Sequence, residues 1–519
     1  MQTGHLPGHF CCSGSADVLG ISPLHDEHTG EDQILSVPEP HRGLAWPTAA
    51  QLLGNVPTIG QSLFIAIIVV LNIIFISVGY KTLYPNLPMQ WYQDHYQELM
   101  FYVCLRTGVM AFCLMPTMLL FSSRNNILLW LSDWSHSTYL LLHRWIARIF
   151  LIQALLHSIL ALVLWVKTDQ YAQTVSQPFW IWGCVATVAA VIIVLSSALV
   201  VRRRAYEAFL AAHIVLAVIC IVGCWYHIEF EYDFTFGYET WLYAAIAVWF
   251  FDRAIRVLRI LKFGIRYGRV SQVSSGVVRI DLPGIRGVTS PARRVHVYFP
   301  ALRPLAPWQN HPFSTIPTAM LAEGTEADVS TVDGSTSSPK IRVHGSEKGI
   351  SSRQGPLCTS TGLTLFVRKT KGMTSRLQEN GRLLTFLEGP YPNIDVRGVL
   401  RSDRLLLIGG GIGITGLLSF LGHHESIKVF QSVKASDQSL IDALSGALGR
   451  FKEKEIAVGR RLDIESLLRE EVSVGWLKIG VVVCGPASMC DDTRAIVARL
   501  AKEKAGVCAF ELEVDSFSW

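Results

Sequence analysis

The chain has 519 residues, of which 50% are hydrophobic and only 17% are charged, and its mean hydropathy is +0.34. This length exceeds one ordinary domain, and this composition is typical of a membrane protein. The net charge of +5 is small for the length, and the basic residues cluster beside apolar segments. That distribution suits membrane topology and argues against nucleic-acid binding.

Residues 1–59 are polar and lack the basic start and apolar core of a signal peptide, so we expect an N-terminal tail. Six apolar segments follow that are long enough to cross a bilayer as helices. They comprise residues 60–79, 101–122, 136–166, 178–200, 205–228 and 240–261. The eleven cysteines show no CxxC pair or metal-ligand spacing, so no disulfide framework is predicted.

Basic residues predict the orientation of these spans. Arg124 lies between the second and third spans, the arginines at 202–204 lie between the fourth and fifth, and a basic stripe occupies 253–269. Positively charged loops face the cytosol. The tail, the arginine loops and everything after residue 262 are therefore expected in the cytosol.

Four histidines form two pairs of equal spacing inside the spans. His143 and His157 lie in the third span, His213 and His227 lie in the fifth, and thirteen residues separate the members of each pair. A fourteen-residue step turns a helix by about 1400°, close to four full turns, and rises about 21 Å. Both histidines of a span therefore share one face, and each lies near one side of the bilayer, whose hydrocarbon core is ~30 Å thick.

The two spans run in the same direction, so His143 is expected to face His213 on the cytosolic side. By the same argument His157 faces His227 on the outer side. Ionisable residues within a membrane are rare and usually functional, which argues against simple core packing. The pattern predicts two haems, each held by two imidazoles. Such an iron has no open position and passes single electrons.

The acidic residues after the fifth span allow two interpretations. Glu229, Glu231 and Asp233 either gather cationic metal or belong to a solvated loop.

After residue 263, short apolar runs such as 277–282 and 295–299 predict an antiparallel barrel. A proline-stiffened turn is then expected to lead an aromatic ring and a hydroxyl towards a flavin. Its residues are His311, Pro312, Phe313, Ser314 and Thr315. Further on, 368–377 predicts a strand followed by a helix start, where Gly372 and Thr374 form either an anion site or an ordinary N-cap.

An apolar strand at 405–408 runs directly into a glycine loop and a predicted helix, which is the context of a dinucleotide site. The glycines, which let a backbone approach a pyrophosphate, are Gly409, Gly411, Gly413 and Gly416. A second strand at 480–483 leads into Cys484 and Gly485, which are expected at the same sheet edge. At the end of the chain, the aromatic rings of Phe517 and Trp519 either serve in packing, as terminal aromatics usually do, or provide a ring that stacks on the flavin until nicotinamide displaces it.

The assembled motifs resemble the ferric reductase family of the fungal metalloreductase type, within the superfamily that also holds NADPH oxidases. The resemblance extends from about residue 60 to the end of the chain. Its carriers are RNN at 124–126, HRW at 143–145, the other three paired histidines, YE at 206–207, HPFS at 311–314, EGPY at 388–391, GGGIGITG at 409–416, CGPxxM at 484–489 and the terminal FSW.

The resemblance implies FAD on the barrel, NADPH on the last domain and two b-type haems in the bundle. His311 would approach the FAD diphosphate, Phe313 would pack on the isoalloxazine, and Ser314 would lie near its N5. Gly372 and Thr374 would help to hold the pyrophosphate.

For NADPH, the resemblance implies a cradle of Gly411, Gly413 and Gly416, with Cys484 near the nicotinamide. The chain departs from the family where a tryptophan and an arginine often follow the glycine helix, since Gln431 and Lys434 stand there. Positive charge for a 2′-phosphate is still expected, at Lys434, Arg460 and Arg461. Pro392 replaces the usual turn glycine, which weakens that expected FAD contact.

The predicted fold class is a multidomain membrane protein, with an α-helical six-span haem-binding bundle followed by a ferredoxin–NADP-reductase-like module. That module combines an antiparallel β-barrel FAD domain and an α/β NADP-binding domain. The predicted boundaries are 1–59 for the tail, 60–262 for the bundle, 263–398 for the FAD domain with a low-complexity insertion at 321–361, and 399–519 for the NADPH domain.

The predicted function is electron transfer from cytosolic NADPH to a ferric or cupric chelate outside, for reductive metal uptake, with the plasma membrane favoured over the vacuolar one. One alternative is a superoxide-generating NADPH oxidase. The equal histidine gaps favour the metalloreductase, because the oxidases typically have a second gap one residue shorter. Another alternative, a transporter or channel, leaves the flavin and nucleotide motifs without a purpose.

Overall fold

The computed structural model describes residues 59–86, 94–132, 134–285, 290–321, 362–370, 372–379, 382–392 and 394–516. It forms two compact units, Met1–Ile255 and Arg256–Trp519. The predicted tail up to residue 58, the predicted insertion from residue 322 onward, and terminal Phe517 and Trp519 lie outside the described residues.

Long helices dominate the first unit, and the last of them continues into the second. They are α1 Ile59–Ser77, α2 His95–Ser122, α3 His136–Lys167, α4 Pro178–Ser196, α5 Tyr206–Tyr232 and α6 Glu239–Phe263. Short helices at Ile127–Leu131, Tyr171–Thr174 and Leu199–Arg204 lie between them. Helices α1 to α5 are each long and apolar enough to cross a membrane, so the chain is an integral membrane protein.

The sixth predicted span forms helix α6, but its apolar stretch is short. From Asp252 onward α6 carries one acidic and four basic residues, so it does not meet the length of apolar sequence that the other five reach. Its role as a sixth span stays a prediction. Asp252 is buried and accepts hydrogen bonds from the backbone N–H of Asn125 at 3.0 Å and from its Nδ2 at 3.1 Å.

The helices begin at residues that satisfy their exposed N–H groups. The Asp94 carboxylate accepts from Gln97 N at 2.7 Å before α2, and Pro178 occupies the first position of α4. Helix α2 packs along α3, and α4 packs along α5. Helices α3 and α5 pack on each other less closely, and the histidine rings stand between them.

The second unit begins with a seven-stranded antiparallel sheet. Its strands are β1 Arg266–Ser274, β2 Val277–Pro283, β3 Arg293–Tyr298, β4 Asn310–Ser314, β5 Ile316–Pro317, β6 Gly362–Arg368 and β7 Leu383–Pro392, in the order β4-β3-β7-β1-β2-β6-β5. The strands predicted at 277–282 and 295–299 are β2 and β3. The strand predicted at 368–377 is wrong, because β6 ends at Arg368 and a single 3₁₀ turn follows at Thr374–Arg376.

A five-stranded parallel sheet follows, so the predicted layout of a helical membrane bundle, an antiparallel sheet domain and an α/β domain is confirmed. The count of six spans and the binding of haem stay predictions. The strands are β8 Arg404–Gly410, β9 Ile427–Val433, β10 Glu453–Val458, β11 Lys478–Gly485 and β12 Ala509–Ser516, in the order β10-β9-β8-β11-β12. Its helices are α7 Ile464–Ser473 and α8 Ala487–Glu503, with short ones at Arg397–Leu400, Ile414–Leu417, Gln438–Ala443 and Ser445–Leu448. From β8 the chain adds β9 and then β10 on one side of the sheet, and it later adds β11 and then β12 on the other side. Open α/β sheets bind ligands where the strand order reverses in this way, which here is between β8 and β11.

Candidate functional site

The structure brings the four intramembrane histidines together as two pairs. The ring centres of His143 and His213 are 6.3 Å apart, with their planes at 68°. The ring centres of His157 and His227 are 6.0 Å apart, with their planes at 81°. Each pair joins α3 to α5, and its members are those that the equal spacing and the parallel direction of the spans predict.

Backbone carbonyls orient three of the four rings. His143 Nδ1 donates to Met118 O at 2.8 Å, His157 Nδ1 to Cys104 O at 2.8 Å, and His227 Nδ1 to Phe179 O at 2.9 Å. A carbonyl oxygen only accepts, so each Nδ1 carries the proton and each Nε2 keeps a lone pair for a metal. His213 differs, since its Nδ1 is buried and has no hydrogen-bond partner among the described residues.

The ring separations fit an iron held between two imidazoles. A bond from a metal to an imidazole nitrogen is about 2.0–2.1 Å long, and that nitrogen lies roughly 1.1 Å from the ring centre. Two such bonds in line give ring centres about 6.3 Å apart, close to both observed separations. Among the described residues, no group of three or more His, Cys, Asp or Glu side chains could hold a metal ion. A metal between these rings would therefore take its remaining ligands from a macrocycle such as haem.

Two glycines let neighbouring helices approach the outer pair closely. A Cβ at Gly108 of α2 would lie 2.9 Å from His157 Nδ1, and a Cβ at Gly183 of α4 would lie 2.9 Å from His227 Nδ1. Both separations are too short for real atoms, so only glycine fits there. Sequence reasoning missed these two residues, although an isolated glycine within a span is a signal of close backbone approach.

Two of the three acidic residues near the outer pair lie in a helix, and Asp233 caps the C-terminus of that helix. Helix α5 extends to Tyr232, so Glu229 and Glu231 lie in its last turns. Glu229 Oε2 accepts from Trp225 Nε1 at 3.0 Å. This carboxylate is therefore held against its own helix.

The predicted proline turn is wrong, because its residues form edge strand β4. The flavin contacts expected of these residues stay a prediction. His311 lies opposite Val297 of β3, and an edge position tolerates Pro312, which has no N–H to donate. Phe313 packs against the buried core of the antiparallel sheet, and Ser314, next along the strand, projects from the opposite face. Thr315 connects β4 to β5.

In the expected pyrophosphate loop, a hydrogen bond holds the hydroxyl of Thr374. Thr374 is buried, and its Oγ1 accepts from Thr370 N at 3.1 Å. Gly372 has φ +97°, a conformation that favours glycine. The helix start expected here is the 3₁₀ turn at Thr374–Arg376, so the anion site stays a prediction.

The glycine loop and the end of β11, which holds Cys484, lie side by side at the carboxyl edge of the parallel sheet. Gly409 is the register partner of Cys484. Gly411 has φ +57°, and a Cβ at Gly413 would lie 2.0 Å from Cys484 O. Any side chain at Gly413 would therefore force the two loops apart. A Cβ at Gly485 would lie 3.2 Å from the backbone of the glycine loop.

Ser314, expected near the flavin, and Cys484, expected near the nicotinamide, both lie beside Gly416. A Cβ at Gly416 would lie 3.2 Å from Cys484 Sγ and 3.3 Å from Ser314 Oγ. Cys484 is buried, and its thiol donates to Asp515 Oδ2 at 3.6 Å. Burial, reinforced by this carboxylate, raises the pKa of Cys484 well above its usual range. The group is therefore a neutral thiol at physiological pH.

The three basic residues expected for a 2′-phosphate are exposed. Lys434 directly follows β9, and Arg460 and Arg461 follow the neighbouring parallel strand β10. Ser432 Oγ donates to Arg460 O at 2.7 Å, which ties the two strand ends together. Gln431 Nε2 donates to Gly411 O at 2.9 Å, so this departure from the family supports the glycine loop.

Comparison with known proteins finds a similarity in the helical bundle. Residues 107–224 match the family model described as ferric reductase like transmembrane component. This segment includes His143, His157 and His213, and it ends three residues before His227.

Relatives extend the similarity to most of the chain. The probable ferric reductase transmembrane component of Candida albicans is 28% identical over 476 residues, which are 86% of this chain and 69% of that protein. Ferric/cupric reductase transmembrane component 1 of the same species is 28% identical over 86% of this chain and 61% of its own length. Ferric reductase transmembrane component 4 of Saccharomyces cerevisiae is 25% identical over 77% of this chain and 49% of its own length. These matches confirm the resemblance that the motifs predict.

Solved structures match the second half of the chain at low similarity. The ferredoxin reductase in carbazole 1,9a-dioxygenase is 14% identical, with a TM-score of 0.32 over 49% of this chain and 68% of that chain. A ferredoxin–NADP+ reductase from Plasmodium falciparum is 11% identical, with a TM-score of 0.29 over 48% of this chain and 95% of that chain.

Proposed function

We propose that this chain, which carries a ferric reductase-like transmembrane component, is an NADPH-dependent ferric-chelate reductase. In this proposal, electrons pass from cytosolic NADPH through FAD and two bis-histidine b-type haems to a ferric or cupric chelate outside. The activity serves reductive iron or copper uptake, most naturally at the plasma membrane. The tail and the second unit then face the cytosol, as the basic loops predict.

The observation that carries the proposal is the geometry of the two histidine pairs. Their ring centres stand 6.3 and 6.0 Å apart, and three of the four rings donate Nδ1–H to a carbonyl. That combination orients Nε2 of each anchored ring as a metal ligand. It serves no evident purpose in a bundle that only packs or only transports.

The nucleotide cleft has its own task in this proposal. When bound, NADPH, FAD and haem supply hydride and single-electron chemistry, while the protein supplies position and electrostatics. The β8 glycine loop would hold the NADPH diphosphate, and Lys434, Arg460 and Arg461 would supply positive charge for its 2′-phosphate. Ser314 and Cys484 both lie beside Gly416, where they would orient the two reacting rings and exclude water. Cys484 remains protonated, so it is a neutral hydrogen-bonding group there.

The test is NADPH-driven reduction of ferric citrate, a cupric chelate and oxygen by purified membranes that hold the full chain. We expect ferric reduction to exceed superoxide formation, and His157→Ala to abolish it. His136→Ala, which alters the first residue of α3 outside both pairs, is the matched control. Superoxide as the main product would replace this proposal with an NADPH oxidase.

A further inference from the structure

A cavity beside α1 and α2 is not explained by either histidine pair. Its volume is ≈ 450 Å³, within the range of about 300–1,000 Å³ that small-molecule sites occupy. Its walls are formed by Tyr80, Lys81, Tyr102, Leu105, Arg106 and Val109. Two of these six side chains are cationic, two carry a phenol hydroxyl, and none is a carboxylate.

The cavity lies at the same level of the bundle as the outer histidine pair. Cys104 O of α2 accepts the hydrogen bond from His157 Nδ1, and Gly108 packs against the same ring. The cavity residues of α2 belong to these same turns but occupy another face, at the spacing i, i+3, i+4 and i+7. One helix, roughly 10 Å in diameter, therefore separates a molecule in the cavity from the His157 ring.

Arg106 is held in place at the wall of the cavity. Its Nη1 donates to Phe75 O at 3.2 Å and to Val78 O, and its guanidinium lies 3.9 Å from the ring centre of Tyr80. These contacts cap the end of α1 through one nitrogen of a group that has five N–H donors. Lys81 is exposed at the mouth, where its ammonium can reach an entering ligand.

The carboxylate of Glu98, one turn of α2 before Tyr102, is already engaged. Glu98 accepts from Leu83 N at 2.5 Å and pairs with His95 Nδ1 at 3.2 Å, and Tyr102 also hydrogen-bonds to it. Glu98 is fully buried and does not line the cavity. The charge that an entering ligand meets is therefore positive.

We propose that this cavity is the docking site of the electron acceptor, and that the acceptor is an anionic ferric chelate with carboxylate groups. The inference rests on the proposed function. Each chelate takes one electron, so one NADPH yields NADP+, one proton and two ferrous chelates from two ferric ones. Lys81 and Arg106 bind the carboxylates, and the tyrosines and apolar wall enclose the body of the chelate.

The test compares Lys81→Glu, Lys81→Arg and the unaltered chain in nanodiscs, with NADPH as donor. Ferric citrate is the anionic acceptor and hexaammineruthenium(III) is the cationic one. We expect Lys81→Glu to raise the KM for ferric citrate about tenfold and to lower that for the cation. Lys81→Arg should keep the original values. The matched control is Lys167→Glu, which makes the same charge change at the end of α3 on the same side of the bundle.

Equal KM changes for both acceptors, or no change in either, would overturn the docking site while leaving the reductase activity intact. Failure of the unaltered chain to reduce either acceptor would instead refute the proposed function.

A phospholipid phosphate is another oxyanion that fits such a site. Nanodiscs of phosphatidylcholine alone and with phosphatidylglycerol separate the two sources. If free citrate competitively inhibits ferric citrate reduction in both kinds of nanodisc, and if Lys81→Glu weakens that inhibition, the chelate is the ligand. Loss of retained phospholipid in Lys81→Glu without citrate competition would assign the cavity to lipid and overturn the proposal.

Discussion

The membrane bundle and the nucleotide cleft place their functional groups by different physical means. In the bundle, long helices hold histidine side chains at a metal-bridging separation, and the backbones of α3 and α5 stay apart. In the cleft, glycines allow close approach, because Gly413 lies against the Cys484 backbone and Gly416 lies against the side chains of Cys484 and Ser314. The bundle should therefore be most sensitive to loss of a side chain, and the cleft most sensitive to gain of one.

The largest effect is expected from removal of a ligand in the bundle. His157→Ala or His143→Ala should lower NADPH-driven ferric reduction by more than about 100-fold, because an imidazole ligand matters at least as much as the groups that orient it. Haem content, measured as pyridine haemochrome, should fall to one haem per chain. Two haems per chain in both variants would show that these histidines are not ligands.

Gain of a side chain in the cleft should come next. Gly416→Val would place atoms within 3.2 and 3.3 Å of Cys484 Sγ and Ser314 Oγ. We expect NADPH-driven flavin reduction to slow by roughly 10- to 100-fold, because the reacting rings lose their alignment, while haem content is retained. Gly276→Ala, where nothing lies within 4 Å of the new Cβ, is the control. Equal rates in both variants would contradict the convergence at Gly416.

A side chain can also be added in the bundle, at a glycine next to the outer histidine pair. Gly108→Ala would bring a methyl group 2.9 Å from His157 Nδ1, whereas Gly60→Ala meets nothing within 4 Å. Overpacking of this kind costs about 1–3 kcal/mol, so the outer haem should dissociate faster on dilution in Gly108→Ala. Haem-transfer kinetics to apomyoglobin measure this. The comparison of the two regions would fail if Gly60→Ala had the larger effect.

A smaller effect distinguishes the two histidine pairs from each other. Both outer rings donate Nδ1–H to carbonyls, whereas His213 of the inner pair has no such partner among the described residues. A hydrogen bond at Nδ1 makes a ligand more basic and favours ferric iron. We expect the inner haem to have a potential higher by about 40 mV, the equivalent of one hydrogen bond. A spectroelectrochemical titration with His157→Ala as a single-haem reference checks the order.

The smallest effect concerns protonation in the cleft. Because the pKa of Cys484 is raised by burial and by Asp515, its thiol is neutral below that raised pKa and ionises only above it. NADPH-driven flavin reduction should therefore show the same pH profile from pH 6 to 9 in the unaltered chain and in Cys484→Ser. An inflection near pH 8.5 that disappears in the variant would show a thiolate instead.

The sequence predicts the bundle better than the cleft. Helix periodicity alone puts His143 and His157 on one face, because the spacing of residues along a helix fixes their direction. The orienting carbonyls of Met118, Cys104 and Phe179 were not predicted, because backbone acceptors on neighbouring helices leave no mark in residue type. Gly108 and Gly183 are isolated glycines within spans, which indicates close backbone approach. Their spacing alone does not show that the histidine rings are the neighbours.

In the cleft, local pattern was less informative. The proline in HPFS favours a turn, yet β4 is an edge strand, where the missing N–H of Pro312 has no cost. The approach of Ser314 to Cys484 depends on packing between the antiparallel and parallel sheets, more than 150 residues apart in sequence. The meeting of these two groups at Gly416 becomes evident only from the fold.

The most direct test of the central claim is anaerobic stopped-flow spectroscopy of the full chain in nanodiscs. On mixing with NADPH, we expect reduction of two b-type haems per chain, followed by reoxidation of both when ferric citrate is added. In His157→Ala the inner haem should still be reduced by NADPH, but ferric citrate should reoxidise it far more slowly. Haems that NADPH does not reduce, or equally fast reoxidation in His157→Ala, would contradict electron flow through the two histidine pairs.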